Sequence, residues 1–196
     1  MGRRFNIGID VDGVLSNFTW AARDLCKLMF NGKPSDDLVQ TGWGFDSLGI
    51  SKAEENQMWR QIDSIPDWWM THEKMPHTNL LTRLWDNHRV IFITNRKDGT
   101  GRPIEIQTAM WLRENFQIWN PIVIISDNKG PLGLGLKLDY FIDDRPKNVE
   151  EMVEESPLTR TYICDASYNQ EVQGIPRVKN FNEFAQIILN REELCL

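Results

Sequence analysis

Two aspartates one residue apart follow an apolar segment near the start of the chain, in the run Asp10-Val11-Asp12-Gly13. The segment before them, Phe5 to Ile9, predicts a buried strand, so both carboxylates would emerge at its carboxyl end. An open α/β sheet binds its ligands at that end. A close pair of acids is costly without a cation or a shared proton, and Gly13 would let the backbone turn away sharply. These residues favour a divalent-metal site, although Asp-x-Asp-Gly also occurs in ordinary surface turns.

Five short segments rich in Val, Ile, Phe and Tyr predict the strands of a sheet. They are Phe5 to Ile9, Arg89 to Ile93, Ile122 to Ile125, Tyr140 to Ile142 and Thr161 to Cys164. Helices are predicted between or after the later strands, over Pro103 to Phe116, Pro146 to Glu155 and Phe181 to Leu189. Alternating strands and helices predict an α/β fold, a Rossmann-like three-layer sandwich whose parallel sheet is covered by helices on both faces.

The first two predicted strands are separated by far more residues than a minimal crossover needs. Helices are predicted there over Phe18 to Phe30, after the capping box formed by Ser51 and Glu54, and over Thr78 to Trp85. We interpret residues 16–77 as a small helical cap inserted after the first strand. Residues 1–15 and 78–196 would then form the core domain.

Length and charge restrict the function. With 196 residues, 41% of them hydrophobic, the chain can bury one core and a modest insertion. Its net charge of −6 argues against a broad basic face for duplex nucleic acid, whereas a small phosphorylated substrate is compatible. Three widely spaced cysteines, Cys26, Cys164 and Cys195, fit a reducing compartment. Without a signal-peptide pattern or an apolar run of about 18 residues, we expect a cytoplasmic protein that does not enter a membrane.

Polar residues follow the other strands as well. Thr94 and Asn95, after the second strand, could donate hydrogen bonds to phosphate oxygens, but such residues also end strands for turn reasons. Lys129, after the third, could balance an anionic centre or simply be solvated. Asp143 and Asp144, after the fourth, are a second acidic pair that folding does not require. A site in this architecture would collect residues from several of these strand ends.

The residues that follow the first four predicted strands resemble, in chain order, the four motifs of the haloacid dehalogenase-like phosphohydrolase superfamily. The resemblance covers roughly residues 5–165. The matching residues are Asp10-Val11-Asp12-Gly13-Val14, Thr94, Lys129 and Asp143-Asp144. The finer similarity is to the 5′(3′)-deoxyribonucleotidases, through Phe18, the aromatic-rich insertion, Trp111 and Ile-Asp-Asp-Arg-Pro. The chain departs from that family at Asn95-Arg96, where Ser-Pro is commoner, and in a longer Gly-rich loop from Lys129 to Asp143.

The resemblance implies a role for each matching residue. Asp10 would attack phosphorus, and Asp12 would protonate the leaving alcohol and later activate water. Mg²⁺ would be held by a carboxylate oxygen of Asp10, the backbone carbonyl of Asp12 and Asp144, with Asp143 behind them. Thr94 and Lys129 would bind the transferring phosphate. Asn95, at a position where the chain departs from the family, could contact the phosphate through its amide. No catalytic role falls to His72, His77 or His88.

Aromatic residues crowd the predicted cap, and most of them would form its core. Those that could instead stack on a substrate base are Phe18, Trp43, Phe45 and Trp59, with Phe18 placed there by the resemblance. Three cations after the second strand, Arg96, Lys97 and Arg102, could bind an additional phosphate but are more often only solvated.

These features predict a Mg²⁺-dependent phosphatase that acts on a small phosphorylated substrate, a nucleoside monophosphate. A polynucleotide 3′-phosphatase-like enzyme, suggested by the stretch Arg96 to Arg102, or a generic small-molecule phosphatase of the superfamily would use the same chemistry. A catalytically silent binding protein on this fold is a third hypothesis, which the intact Asp10 and Asp12 disfavour. A homodimer is compatible with the sequence.

Overall fold

A six-stranded, entirely parallel sheet forms the centre of the computed structural model, which describes residues 3–193. Its strands, in chain order, are β1 (Asn6–Ile9), β2 (Arg89–Thr94), β3 (Ile122–Ile125), β4 (Tyr140–Asp143), β5 (Arg160–Cys164) and β6 (Arg177–Val178). Their spatial order is β3-β2-β1-β4-β5-β6. The order reverses direction at β1, so the crevice of this sheet lies at the carboxyl ends of the strands beside β1.

Seven α-helices accompany the sheet in the described part of the chain. They are α1 (Phe18–Met29), α2 (Lys52–Ser64), α3 (Leu81–Asn87), α4 (Ile104–Phe116), α5 (Lys129–Leu136), α6 (Pro146–Glu155) and α7 (Phe181–Glu193). One face of the sheet packs against α3, α4 and α7, and the other against α5 and α6. The α/β fold with helices on both faces is therefore confirmed.

Side chains alternate between the two faces along the strands, as a strand geometry requires. On β2, Val90 and Phe92 join the cluster under α3, α4 and α7, whereas Ile91 and Ile93 join the cluster under α5 and α6. On β1, Gly8 faces the α5 and α6 side, where an added Cβ would overlap Leu138. Both faces of the sheet are thus buried, which fixes the register of the strands.

The chain between β1 and β2 forms its own hydrophobic cluster. Helices α1 and α2 and two short 3₁₀ turns, Asp46–Leu48 and Trp68–Met70, contribute to it. The predicted capping box is present, because Ser51 accepts from the Glu54 backbone and Glu54 accepts from the Ser51 backbone. Ile104 of α4 belongs to the same cluster, so this insertion packs against the helix that follows β2. The division of domains at residues 15/16 and 77/78 stays a prediction.

Two elements differ from expectation. The segment after Lys129, interpreted as a Gly-rich loop, is helix α5. Its Gly130 and Gly133 lie so close to α6 that a Cβ at either position would contact α6. The two-residue strand β6 was not predicted, because two residues are too few for a recognisable pattern. Cys26 and Cys164 are buried free thiols, and Cys195 lies outside the described residues.

Candidate active site

The predicted strand-end residues meet at one edge of the sheet. Asp10 directly follows β1, Thr94 is the last residue of β2, and Asp143 ends β4. The parallel register pairs Ile9 with Ile142, so the residues that follow them are neighbours. Lys129 begins α5 and reaches the same point from the end of β3. The structure therefore brings together the four motifs that the sequence places far apart.

Three buried carboxylates form the centre of this cluster. Asp10, Asp143 and Asp144 each offer an oxygen, and these oxygens lie within 4.8 Å of one another. Burial raises the pKa of Asp10 well above its usual range, and the nearby Asp143 and Asp144 add to this while Lys129 opposes it. In residues 3–193 no other group of acidic, histidine or cysteine side chains has a comparable metal-binding arrangement.

Lys129 is the cation within the cluster. Its ammonium is buried and donates to Asp10 Oδ1 and, at 2.6 Å, to Asp143 Oδ2. Burial alone would lower the pKa of Lys129, but Asp10 and Asp143 outweigh it and the pKa is raised. Asp143 is further held by the backbone N–H of Arg145 and the amide of Asn148. Lys129 is thus charged and rigidly placed beside the Asp10 carboxylate.

Asp144 has a different environment. The Tyr168 hydroxyl donates to its Oδ2, and burial, followed by the nearby Asp143, raises its pKa to about 7. Gly13, at a φ of +83°, lies against the same carboxylate, and a Cβ there would overlap Asp144 Oδ2. The raised pKa values of Asp10 and Asp144 show that three carboxylates outnumber the one ammonium here, and carboxylate oxygens are ligands that Mg²⁺ prefers. The residues present therefore fit a divalent cation.

Asp12 lies outside the carboxylate cluster, with an ion pair of its own. Arg96 donates to both carboxylate oxygens, from Nε to Oδ2 and from Nη2 to Oδ1, each at 2.9 Å. Thr94 Oγ1 is 3.4 Å from Oδ2, and His72 Nδ1 is 3.8 Å from Oδ1. Burial would raise the pKa of Asp12, but Arg96 overcomes this and lowers the pKa far below its usual range. The Asp12 side chain is therefore ionised in this state.

The expectation that the cations after β2 are mostly solvated is wrong for Arg96. Its residue is 2% exposed, and its Nη1 donates to Thr108 Oγ1 at 3.2 Å. Arg102 is paired with Asp67, to which it donates from both the backbone and the side chain. Lys97 is exposed and lies 5.7 Å from the centre of the Trp59 ring.

A cavity of about 370 Å³ opens above the carboxylates. All the predicted catalytic, metal-binding and substrate-binding side chains line it: Asp10, Asp12, Phe18, Trp43, Phe45, Trp59, Thr94, Asn95, Lys129, Asp143 and Asp144. On one wall Phe18 stacks with Trp59, at 5.6 Å between ring centres, and with Trp69, at 5.7 Å. The cavity thus combines an acidic floor with an aromatic wall.

The other two predicted aromatics differ in their surroundings. Trp43 is 49% exposed, lies edge-on to Tyr168 and carries the Arg145 guanidinium 4.9 Å from its ring centre. Phe45 is buried and belongs to the hydrophobic cluster of the insertion. Trp43 is therefore free to contact a ligand, whereas Phe45 has a packing role as well.

The sequence did not predict the roles of three residues of this site: Arg96, Trp69 and Tyr168. Tyr168 lies four residues beyond the end of β5, and nothing in that segment marks it as a partner of Asp144. Trp69 is one of many aromatics in the insertion. The exact partner of Arg96 has no local signal, because Asp12 is 84 residues away. Among the histidines, His72 is buried beside Asp12 with its pKa lowered by burial.

Comparison with known proteins agrees with the geometry. A family model described as 5′ nucleotidase, deoxy (Pyrimidine), cytosolic type C protein matches residues 3–194. A protein of Oceanobacillus iheyensis, named as a candidate nucleotidase, is 29% identical over 146 residues, which cover 71% of this chain and 73% of that one. A Bacillus cereus protein, also named as a candidate nucleotidase, is 26% identical over 191 residues, 92% and 96% of the two chains.

Solved structures show the same fold. A haloacid dehalogenase family hydrolase from Deinococcus radiodurans, solved with bound phosphate and sodium, has a TM-score of 0.62 at 10% identity and covers 100% of this chain and 99% of its own. A hydrolase of the same superfamily from Bacillus subtilis, solved with magnesium, has a TM-score of 0.59 at 14% identity, with coverage of 95% and 100%. In the described part of the present chain, no helix is long and apolar enough to cross a membrane.

Proposed function

We propose that this chain is a Mg²⁺-dependent phosphatase of nucleoside monophosphates, because it belongs to the family of 5′ nucleotidase, deoxy (Pyrimidine), cytosolic type C proteins. One observation carries the proposal. The buried carboxylates of Asp10, Asp143 and Asp144, with the Lys129 ammonium, form the floor of a cavity whose wall is aromatic. A phosphate would bind at the floor and a base would stack on the wall.

The metal would be held by Asp10 and Asp144, with Asp143 and the backbone carbonyl of Asp12 as further candidates. A bound Mg²⁺ would neutralise charge on the phosphate and on the attacking carboxylate. Tyr168 and Gly13 support this arrangement from the protein side, because both contact the Asp144 carboxylate and limit its position.

Asp10 is the proposed nucleophile. One of its carboxylate oxygens would form a bond to phosphorus while the bond from phosphorus to the ester oxygen breaks. Lys129 contacts Asp10 directly and would attract the phosphoryl oxygens, which reduces the repulsion between two anions. Thr94 and Asn95 line the cavity beside it and would donate hydrogen bonds to the same oxygens.

Asp12 is the proposed proton carrier. In the first step the leaving alkoxide needs a proton, which the Asp12 carboxyl would give after taking one up from solvent in the substrate complex, where the negative phosphate offsets the charge of Arg96. In the second step a water attacks the aspartyl-phosphate, and ionised Asp12 would take the proton of that water. Phosphate and free Asp10 result. The ion pair with Arg96 favours the ionised form, which is the form that the second step uses.

The aromatic wall is the proposed base site. Phe18, Trp59 and Trp69 present stacked rings, and rings of this kind bind bases by stacking. A polynucleotide 3′-phosphatase-like activity is less well supported. Both arginines in the stretch that suggested it, Arg96 and Arg102, are paired, with Asp12 and Asp67, and do not form a free basic surface.

Phosphate release from a panel of substrates tests this proposal. The panel contains deoxy- and ribonucleoside 5′- and 3′-monophosphates, a 3′-phosphorylated oligonucleotide and p-nitrophenyl phosphate, each with Mg²⁺ or with EDTA. We expect Mg²⁺-dependent release that is fastest from the nucleoside monophosphates. Faster release from the oligonucleotide would favour the alternative, and release from none of the panel would overturn both.

A further inference from the structure

Arg96 holds the Asp12 carboxylate with an unusually complete set of contacts. Its side chain is fully buried, and its Nε and Nη2 each donate to a different Asp12 oxygen at 2.9 Å. Its Nη1 donates to Thr108 on α4. A two-point contact of this kind fixes the plane of the carboxylate as well as its position, which a single ammonium could not do.

Two indole rings lie close to the Arg96 guanidinium. Its central carbon lies 5.1 Å from the ring centre of Trp69 and 5.8 Å from that of Trp111. Trp111 is fully buried on α4, and its Nε1 donates to the His72 backbone carbonyl at 2.7 Å. Trp69 comes from the insertion between β1 and β2. Contacts with two rings, added to the hydrogen bonds to Asp12 and Thr108, leave Arg96 little freedom to move away from Asp12.

We infer that Arg96 is a positioning residue: it orients the Asp12 carboxylate for proton transfer to and from the oxygens that bond to phosphorus. This inference rests on the proposed function. Asp12 Oδ2 accepts from Arg96 Nε and, at 3.4 Å, from Thr94 Oγ1. Oδ1 accepts from Arg96 Nη2 and keeps a second lone pair, which is the one available to a substrate oxygen or a water. Displacement of a catalytic group by about 1 Å can cost about 100-fold in rate.

The leaving group provides the test. An alkoxide leaving from a nucleoside monophosphate needs a proton, whereas the p-nitrophenolate ion leaves readily without one. Since kcat/KM reports the steps up to the first irreversible one, it isolates the cleavage of the ester bond. A residue that acts through Asp12 affects kcat/KM for the nucleotide far more than for the aryl phosphate. A residue that only stabilises the fold affects both alike.

The experiment compares Arg96→Gln with wild type, using thymidine 5′-monophosphate and p-nitrophenyl phosphate with saturating Mg²⁺. We expect kcat/KM to fall about 100-fold for the nucleotide and less than about 10-fold for the aryl phosphate, the same pattern as Asp12→Asn. The double variant Arg96→Gln, Asp12→Asn should be no slower than Asp12→Asn alone. Arg113→Gln, which removes an exposed arginine over Trp119, is the matched control and should change neither value.

Because Arg96→Gln removes a buried cation and could prevent folding, two milder variants are tested beside it. Arg96→Lys keeps the charge without the two-point contact. Thr108→Val removes the hydrogen bond from Arg96 Nη1, together with the one from Thr108 Oγ1 to the Ile104 carbonyl within α4. Both variants should show a smaller loss of kcat/KM, again mainly for the nucleotide. Equal losses on the two substrates, or no loss, in variants that fold would overturn the inference. A wild-type protein that hydrolyses neither substrate would overturn the proposed function, and the inference with it.

Discussion

Gly13 and Asp144 lie so close together that no side chain fits between them. A Cβ at Gly13 would overlap the Asp144 carboxylate, and the φ of +83° is one that other residues adopt only with strain. The glycine that follows Asp12 therefore does more than let the chain turn. It leaves space for the second acidic pair to approach Asp10, which the metal proposal requires.

Gly13→Ala should weaken Mg²⁺ activation and lower the free energy of unfolding by about 1–3 kcal/mol, through backbone strain and displacement of Asp144. The control is Gly32→Ala, because Gly32 has a nearly equal φ of +85° with nothing within 4 Å of an added Cβ. Chemical denaturation and Mg²⁺ titration of activity measure both effects. An identical result for the two variants would show that only the backbone strain matters.

The chemistry-bearing residues could be predicted from the sequence because each follows an apolar run. The partners of those residues could not. Arg96 and Tyr168 act on Asp12 and Asp144 through contacts that span 84 and 24 positions, and nothing in the sequence near either one indicates its partner. The prediction for the cations after β2 fails at Arg96 for this reason, since an isolated charge is normally solvated.

At the level of elements, helix α5 is the least typical. It contains three glycines, Gly130, Gly133 and Gly135, which oppose a helix and made the segment resemble a loop. Packing overrides that preference: a Cβ at Gly130 would meet the backbone of Glu151, and one at Gly133 would overlap Met152 of α6. Close contact with α6 therefore stabilises α5, and α5 in turn places Lys129 at its first position.

Two glycines of this helix make a matched pair. Gly133→Ala should destabilise the protein by about 1–3 kcal/mol because the added methyl group collides with α6. Gly135→Ala meets nothing within 4 Å and should stabilise the protein by up to about 1 kcal/mol through helix propensity. Equilibrium denaturation compares them. The reverse result, a stabilising Gly133→Ala and a destabilising Gly135→Ala, would show that α5 and α6 are not closely packed.

Most of the other elements could be predicted from hydrophobic pattern and capping. Helix α6 has the predicted bounds, and α4 begins one residue after Pro103. Helix α3 begins three residues later than predicted, because Leu80 is its N-cap. Strand β6, with two residues, is stabilised by its pairing with β5 rather than by its own sequence, so only the folded sheet reveals it.

At the scale of the whole molecule, folding concentrates acids without a matching number of cations. Burial and Asp143 raise the pKa of Asp144 to about 7, compared with about 3.9 for an unfolded aspartate. A raised acid pKa stabilises the fold below the unfolded value, and this stabilisation is lost as pH rises through about 7. Through Asp144 alone, the metal-free protein should therefore lose roughly 0.8 kcal/mol of stability between pH 6.5 and 8.

Within this range His72 has a smaller, opposing effect, because its lowered pKa adds roughly 0.4 kcal/mol of stability as pH rises from 6.5, where an unfolded histidine is half protonated, to 8. The measurement is denaturation in EDTA across the range, with Asp144→Asn as the control that should abolish the loss. Mg²⁺ competes with the proton, so its apparent affinity should increase with pH over the same interval. Metal-free stability that rises from pH 6.5 to 8 would contradict this account.

Formation of a covalent phosphate on Asp10 is the central claim, and it can be measured directly. The protein is mixed with thymidine 5′-monophosphate and Mg²⁺, quenched in acid within milliseconds and digested with pepsin at low pH, where an acyl phosphate survives. The peptides that contain Asp10 are then examined by mass spectrometry. The account predicts a phosphorylated peptide with the modification at Asp10. Asp10→Asn should lack it and lose at least about 1,000-fold in turnover while keeping its fold. Full phosphate release from Asp10→Asn, or an unmodified peptide during wild-type turnover, would contradict it.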